Sequence, residues 1–465
     1  MIFTQYYLGC LSHASYLVGD EGTGRAVVVD PQRDVSGYLR EAEQRGLTIE
    51  RVIETHFHAD FLSGHLELAD RTGAVISYGA AATGEGYPID RLTDGRRIEL
   101  GDVVLEILET PGHTPESISI VVYAHADDTV PYGVLTGDTL FIGDVGRPDL
   151  LASVGVAPDD LARRLYRSLH TKLLALPDAT RVLPAHGAGS ACGKQLSDER
   201  ESTIGDQRRT NYALAPMTED EFVAVVTEGQ PTTPLYFSFD AQMNRASRPL
   251  LAEDEPPPAM NLDAVLAHQR AGGVVLDTRE PFDFAAGHLR GSVNVGLQGR
   301  FAEYAGDVLA PDDAIVLVGD PGTAHEAKIR LGRIGFDHVV GRLDDPVSAF
   351  LARSELVVRA SRVTATELDA LRGDVPGLVV VDVRNPGELA GGVVPGSISI
   401  PLPLVTTRVG ELDPRRPTVV YCASGYRSAV AASVLDAWGF TDVSDLLGGY
   451  EAWQTIHPTM QENMA

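Results

Sequence analysis

The sequence predicts an α/β protein of several domains, and three observations carry that prediction. The chain has 465 residues, enough for roughly three domains of ordinary size. Short apolar runs alternate with helical patterns in the first half, and the strand-like runs end in polar loops. After a proline- and acid-rich stretch a segment recurs: Val274-Val-Leu-Asp-Thr-Arg-Glu-Pro281 returns as Val379-Val-Val-Asp-Val-Arg-Asn-Pro386, an offset of 105 residues.

Taken in order, residues 25–30 read as a strand, 34–46 as a helix with an acidic start and a glycine stop, and 49–54 as a strand running into Thr55 and His56. Further strands are expected at 103–109, 118–123, 133–135 and 181–184, with a helix at 161–176. Cys10 reads as a core residue of an apolar N-terminal strand, and 211–248 reads as a tail packed on the first domain without a clear pattern. The stretch Ala252-Glu-Asp-Glu-Pro-Pro-Pro-Ala259 reads as a linker. The domains expected are residues 1–250, a linker at 251–260, then 261–355 and 361–460. Gly291-Ser292 and Gly396-Ser397 keep the same offset of 105 in the last two.

Composition narrows the function classes. The chain carries 65 acidic and 38 basic residues, a formal charge of −27, which disfavours nucleic acid and anionic membrane as partners. An anionic substrate would need a local metal or cationic site to reverse that field. Three cysteines do not make a disulfide framework. With no leader pattern at the N-terminus and no apolar run near the roughly 18–20 residues of a membrane span, a cytoplasmic protein is expected.

Four strand ends in the first domain carry metal-ligand chemistry: Thr55-His-Phe-His-Ala-Asp-Phe61, Pro111-Gly-His-Thr114, Thr136-Gly-Asp138 and Pro184-Ala-His-Gly187. One buried histidine is an ordinary core residue; an ordered set of imidazoles and carboxylates suits zinc, iron or manganese. The set resembles the metallo-β-lactamase superfamily over about residues 1–245, which implies an αββα sandwich. Two-metal members carry His-x-His-x-Asp-His; here Phe61 stands in the last place, so the second metal site is expected to lack a ligand. The pattern is most similar to the persulfide dioxygenase branch. That resemblance implies one Fe(II) per domain held by His56, His113 and Asp138, with open positions for O₂ and a sulfur ligand. His58, Asp60 and His186 then orient ligands and water, and an alternative makes His58 a direct ligand. Arg147, in Gly143-Asp-Val-Gly-Arg-Pro-Asp149, is read as a contact for a substrate carboxylate, or else as a structural partner of Asp149. Cys192 lies six residues after His186 among small residues. It is read as a carrier of sulfane sulfur whose pKa Lys194 lowers, or else as an inert thiol in a tight turn.

The last copy carries Thr418-Val-Val-Tyr-Cys422-Ala-Ser-Gly-Tyr-Arg427-Ser428. A cysteine after a strand, five loop residues and a helix start let backbone N–H groups and the helix N-terminus converge on a sulfur anion. With Asp382 and Arg384 upstream, residues 361–457 resemble rhodaneses, and the resemblance makes Cys422 the nucleophile and Arg427 the binder of thiosulfate or sulfite. The middle copy has Gly319 at the cysteine position and Ala324 at the arginine position, and Asp320 would repel an anion. It reads as a pseudo-rhodanese with a packing, docking or substrate-guiding role.

Together the resemblances imply oxidation of a small thiol persulfide by O₂ to sulfite, coupled to sulfur transfer giving thiosulfate, in sulfide detoxification, by a dimer or tetramer. Two other classes stay open: a glyoxalase II-like thioester hydrolase fused to a sulfurtransferase, and a regulatory protein using the rhodanese copies as interaction modules.

Overall fold

Alternating burial along the strands builds the first unit. In this computed structural model, which describes residues 1–150, 152 and 155–458, Tyr16, Val18, Val27 and Val29 face one way and Leu17, Ala26 and Val28 the other. The strands are β1 (Ile2–Leu8), β2 (His13–Gly19), β3 (Arg25–Val29), β4 (Thr48–Ile53), β5 (Val75–Gly79) and β6 (Asp90–Leu92), hydrogen-bonded in that order. A second sheet contains β7 (Arg97–Glu99), β8 (Val104–Glu109), β9 (Ile118–Tyr123), β10 (Gly133–Gly137), β11 (Arg181–Pro184) and β12 (Ser202–Thr203), again in order. Leu105, Ile107, Ile120, Leu135 and Leu183 of the second sheet meet Tyr16, Val18, Val27 and Ile53 of the first in one buried core. The outer faces are covered by helices. Val35, Tyr38, Ala42 and Leu68, from α1 (Ser36–Arg45) with its lead-in and α2 (His65–Thr72), cover one sheet. The other is covered by α3 (Pro158–Thr171), α4 (Ile204–Thr210) and α5 (Glu219–Thr227), with Leu165, Leu169, Phe222 and Val226 against Val121, Val134 and Val182. The layers are αββα.

Two elements differ from the sequence expectation. Cys10 lies in the turn between β1 and β2, buried but not in a strand. The 211–248 tail holds α5 and a helix over Phe237–Met243; α5 starts with a capping box in which Thr218 and Glu221 satisfy each other's backbone N–H groups. That Thr-x-x-Glu signal was legible in the sequence. Gly46 in the left-handed region ends α1 at the expected place.

The chain divides into two compact units: Met1–Thr233, Phe237–Glu253 and Arg333–Gly335 in one, and Pro234–Tyr236, Asp254–Gly332 and Phe336–Ala465 in the other. The two repeats therefore share one unit. Positions 459 and 460 of the expected last domain lie outside the described residues. Each repeat has a parallel five-stranded sheet with the same order. It runs Ala259–Met260, Val339–Leu343, Ile315–Val318, Val274–Asp277, Val293–Asn294 in the first. In the second it runs Ser361–Val363, Val443–Leu446, Thr418–Tyr421, Val379–Asp382, Ile398–Ser399. The repeated Asp-x-Arg is a scaffold. Arg279 Nη2 donates to Asp277 and to the Gly287 carbonyl (2.5 and 3.0 Å), and Arg384 Nη2 to Asp382 and to Gly392 (2.6 and 2.8 Å). No helix among the described residues is long and apolar enough to cross a membrane.

Candidate functional site

The carboxyl ends of β4, β10 and β11 and the loop after β8 bring the histidines and aspartates of the first unit together. Ligand atoms of His56, His113 and Asp138 lie within 4.8 Å of one another, all buried. His56 Nε2 is 3.8 Å and His113 Nε2 3.5 Å from Asp138 Oδ2. His56 Nε2 and Asp138 Oδ2 have no hydrogen-bond partner.

The surroundings fix both imidazole tautomers. Asp30, held in the left-handed region at φ 49°, accepts the Thr55 N–H at 2.7 Å and the Thr55 hydroxyl proton at 2.9 Å. Thr55 Oγ1 has then spent its proton, so its 3.0 Å contact with His56 Nδ1 makes that nitrogen the donor. His113 Nδ1 lies 2.9 Å from the Arg147 carbonyl and must donate to it. In each ring Nε2 is left with a bare lone pair aimed at Asp138. Burial, with His58 next in weight, holds the His56 pKa well below the ordinary range, so the ring is neutral. A neutral His56, a His113 whose Nδ1 is committed to a carbonyl, and a carboxylate oxygen without a hydrogen-bond partner fit a divalent transition metal.

His186 holds the carboxylate from behind, with Nδ1 2.8 Å from Asp138 Oδ1 and Nε2 2.7 Å from Asp60 Oδ2. Burial lowers its pKa, but Asp138 and Asp60 outweigh burial and raise it well above normal. His58 stands outside the triad: its Nε2 lies 3.0 Å from Asp30 and 3.4 Å from Glu54, which overcome burial and push its pKa up to about 10. Phe61 packs on the His58 and His13 rings at 4.4 and 4.0 Å.

Cys192 changes the reading of the vacated second site. With Asp60 and His186 it forms a second buried group of potential ligand atoms, in which both His186 nitrogens are already engaged by Asp138 and Asp60. Its pKa is raised well above normal by burial and then by Asp60 and Asp138. Lys194 does not activate it. The ammonium donates to the Val225 and Glu228 carbonyls at the end of α5, at 2.6 and 3.0 Å, and its own pKa is lowered by burial. Arg147 is likewise committed. Nε and Nη2 grip Asp149 at 2.7 and 2.8 Å, and Nη1 donates to the carbonyls of Ala191 and Pro231. That arrangement pins the Cys192 loop and leaves no guanidinium edge for a substrate carboxylate, so the structural reading of Arg147 and Asp149 replaces the substrate-contact one.

Three supporting residues escaped sequence reasoning. Asp144 accepts the Lys194 and Gln195 N–H groups, both at 2.7 Å, and the Tyr212 hydroxyl at 2.6 Å. Gly146 passes so close to the ligand strand that a Cβ would lie 1.8 Å from the Asp138 carbonyl oxygen. His13, buried with neither ring nitrogen partnered, bridges β2 to His186. Among these, only Gly146, beside the charged loop, left a readable trace.

In the second unit Cys422 is buried at the end of its strand, and Gly425 N–H donates to its Sγ at 3.1 Å. The helix Tyr426–Ala437 starts at the loop, with its N-terminus toward the sulfur side. Gly449 backs the loop: a Cβ there would lie 2.4 Å from the Cys422 carbonyl oxygen, and its φ is +56°. Arg427 donates from Nη1 and Nη2 to Glu388, both at 2.7 Å. Burial lowers the Arg427 pKa, but Glu388 outweighs it and keeps the charge fixed.

Comparison with known proteins agrees with this division. Residues 8–186 match the metallo-beta-lactamase superfamily, and 261–352 and 364–456 each match the rhodanese-like domain. A crystal structure of a metallo-beta-lactamase from Staphylococcus aureus subsp. aureus COL is 34% identical, with a TM-score of 0.67 over 74% of this chain and 99% of that one. A probable metallo-hydrolase of Burkholderia pseudomallei (strain 1710b) is 34% identical over 253 residues, 47% of this chain and 82% of that protein. A beta-lactamase hydrolase-like protein of Agrobacterium fabrum is 31% identical over 253 residues, 47% of this chain. The chain spans only about half of that curated relative's length, 54%.

Proposed function

The chain belongs to the metallo-beta-lactamase superfamily, with two rhodanese-like domains behind that domain, and from this premise we propose that it is an Fe(II)-dependent persulfide dioxygenase coupled to a sulfurtransferase. The observation that carries the reading is the buried His56, His113 and Asp138 set, with both imidazole lone pairs converging on one carboxylate, in the same chain as the Cys422 loop. His56, His113 and Asp138 would hold the iron, which would supply O₂ activation beside a sulfur ligand.

The chain's own residues do the rest. Thr55 and the Arg147 carbonyl hold the ligand tautomers, and the imidazolium of His186 neutralises Asp60 and braces Asp138. Burial of all these groups excludes bulk water. The overall reaction is RSSH + O₂ + H₂O → RSH + SO₃²⁻ + 2H⁺. At the last domain the Gly425 N–H and the field of the following helix stabilise Cys422 Sγ as the thiolate that leaves when its outer sulfur is transferred. Sulfite attacks its outer sulfur and the S–S bond breaks toward the protein: Cys–S–S⁻ + SO₃²⁻ → Cys–S⁻ + S₂O₃²⁻. Joining the two activities in one chain raises the effective concentration of sulfite at its acceptor. A cytoplasmic sulfide-detoxifying role, in a homo-oligomer, completes the reading.

The test is O₂ uptake by anaerobically iron-loaded protein on adding a low-molecular-weight thiol persulfide, with sulfite and thiosulfate quantified. Uptake is expected in the wild type and lost in His113→Ala; Cys422→Ser is expected to convert thiosulfate output to sulfite. The Asp60, His186 and Cys192 group favours one rival, a two-metal hydrolase. Absence of uptake with iron, together with thioester hydrolysis in zinc-loaded protein, would establish that rival instead.

A further inference from the structure

The middle copy has lost its nucleophile yet keeps an unusual helix. In Phe301–Val308 the apolar face is ordinary: Phe301, Ala302, Ala305 and Val308 are buried. The other face, counted at helical spacing from the cap, carries Arg300, Glu303, Tyr304 and Asp307. At the offset of 103 that aligns Gly319 with Cys422, the last copy has Pro403, Thr406, Thr407 and Gly410, so the charged and phenolic stripe belongs to the copy without the cysteine.

That stripe is not a solvated face. Asp307 is 3% exposed and its Oδ1 has no hydrogen-bond partner. Arg300 pairs with Glu303, and its guanidinium carbon lies 5.5 Å from the Tyr304 ring centre. Burying such groups costs stability, so a stripe of them in a packed helix calls for a use. Its neighbour is the Cys422 loop. The Tyr304 ring stands 5.2 Å from that of Tyr426, the first residue of the helix after the loop, and the Tyr426 hydroxyl donates to the Gly296 carbonyl, with the Gln298 carbonyl oxygen 3.1 Å away. Tyr304 and Asp307 both interact electrostatically with Arg427. Asn294 N–H donates to Ser433 on the helix that follows the loop, at 2.9 Å.

The loop needs help from that side. Both terminal nitrogens of Arg427 are taken by Glu388, which also accepts the Asn385 N–H at 2.9 Å. A small dianion arriving at Cys422 therefore meets loop N–H groups, of which Gly425 already donates to the sulfur, and an arginine already paired, in a chain of net charge −27.

We propose that the middle copy completes the Cys422 site: Tyr304 donates its phenolic O–H to a small sulfur oxyanion bound beside Arg427, and Arg300 behind the ring strengthens that subsite electrostatically. The proposal rests on the sulfur-transfer reading of Cys422 and adds a residue that selects oxyanion over uncharged partners. Burial raises the Tyr304 pKa, which keeps the phenol a donor across the working range.

The experiment uses full-length protein in which Cys422→Ser removes the chemistry, titrated calorimetrically with sulfite and with thiosulfate. Adding Tyr304→Phe, which keeps the ring, is expected to weaken both about tenfold, the worth of one hydrogen bond in a buried site. Arg300→Gln is expected to weaken them too, with Arg300→Lys recovering part of the loss. In the cysteine-containing enzyme Tyr304→Phe should raise KM for thiosulfate while sulfur transfer from preloaded Cys422 to dithiothreitol, an uncharged acceptor, keeps its rate. Unchanged oxyanion affinity in Tyr304→Phe, or no measurable oxyanion binding at all, overturns the subsite. Binding that depends on Tyr304 in a protein whose Cys422 accepts no sulfur would retain the subsite and remove the sulfurtransferase reading, so the two failures are distinct.

Discussion

Replacing Thr55 by valine removes one hydroxyl and nothing else of that volume, yet two groups lose their partner. Asp30 Oδ2 loses a donor at 2.9 Å, and His56 Nδ1–H loses its acceptor at 3.0 Å, both inside a fully buried site. A buried donor left unsatisfied costs about 1–3 kcal/mol, which the ring can relieve by adopting the other tautomer. That tautomer puts its proton on Nε2, the atom facing Asp138, and removes the lone pair needed for the metal. Loss of such an orienting partner typically lowers metal affinity about 10–100-fold, or about 1.4–2.7 kcal/mol. The Thr55 N–H still anchors Asp30 at 2.7 Å, so the fold is expected to survive. Competition between protein and a calibrated chelator for Fe(II), under anaerobic conditions, measures the effect, with Thr55→Ser as the control that keeps the hydroxyl. Wild-type affinity in Thr55→Val would refute the tautomer argument.

Three further predictions follow from packing and charge. Gly146→Ala forces a methyl to within 1.8 Å of the Asp138 carbonyl oxygen. Its expected cost is about 1–3 kcal/mol of stability together with loss of bound metal, read by thermal melting and metal analysis. Glu67 lies between Arg33 and Arg248, 3.1 and 2.7 Å away; burial raises its pKa, but the two arginines outweigh burial and lower it. Its contribution is therefore full above the ordinary carboxyl range and lost as pH falls through the depressed folded value. Glu67→Gln should cost about 3 kcal/mol at neutral pH, and its melting-temperature gap to wild type should close on acidification. Lys194→Met should leave the pH dependence of Cys192 alkylation, followed by peptide mass spectrometry, where it is, because the ammonium caps α5 rather than the thiol. A raised midpoint would restore the activating role.

Much of the fold was legible because local patterns agreed with it. The helix stop at Gly46, the 118–123 strand and the repeat all rest on periodicity or on a residue with one conformational use. The α5 start is equally local, carried by Thr218 and Glu221. Arg147 and Lys194 were harder. Each is a cation next to an interesting residue in sequence, but where a long side chain ends depends on carbonyls 31–84 residues away, at Pro231, Val225 and Glu228. Nothing in the sequence marks those acceptors.

By itself, the sequence determined which chemistries were available: imidazoles and carboxylates at strand ends in the first domain, a cysteine between a strand and a helix in the last, and no cysteine in the middle copy. Residue type and local spacing suffice for that. Tertiary structure alone decided which atoms meet: that His56 and His113 share Asp138 while His58 turns to Asp30 and Glu54, that Cys192 joins Asp60 and His186, and that the middle copy's polar stripe adjoins the Cys422 loop. The reason is physical. A site's charge state and hydrogen bonds depend on distances of a few ångströms between groups brought together by packing of the sheets and helices, and those distances are not a local property of the chain.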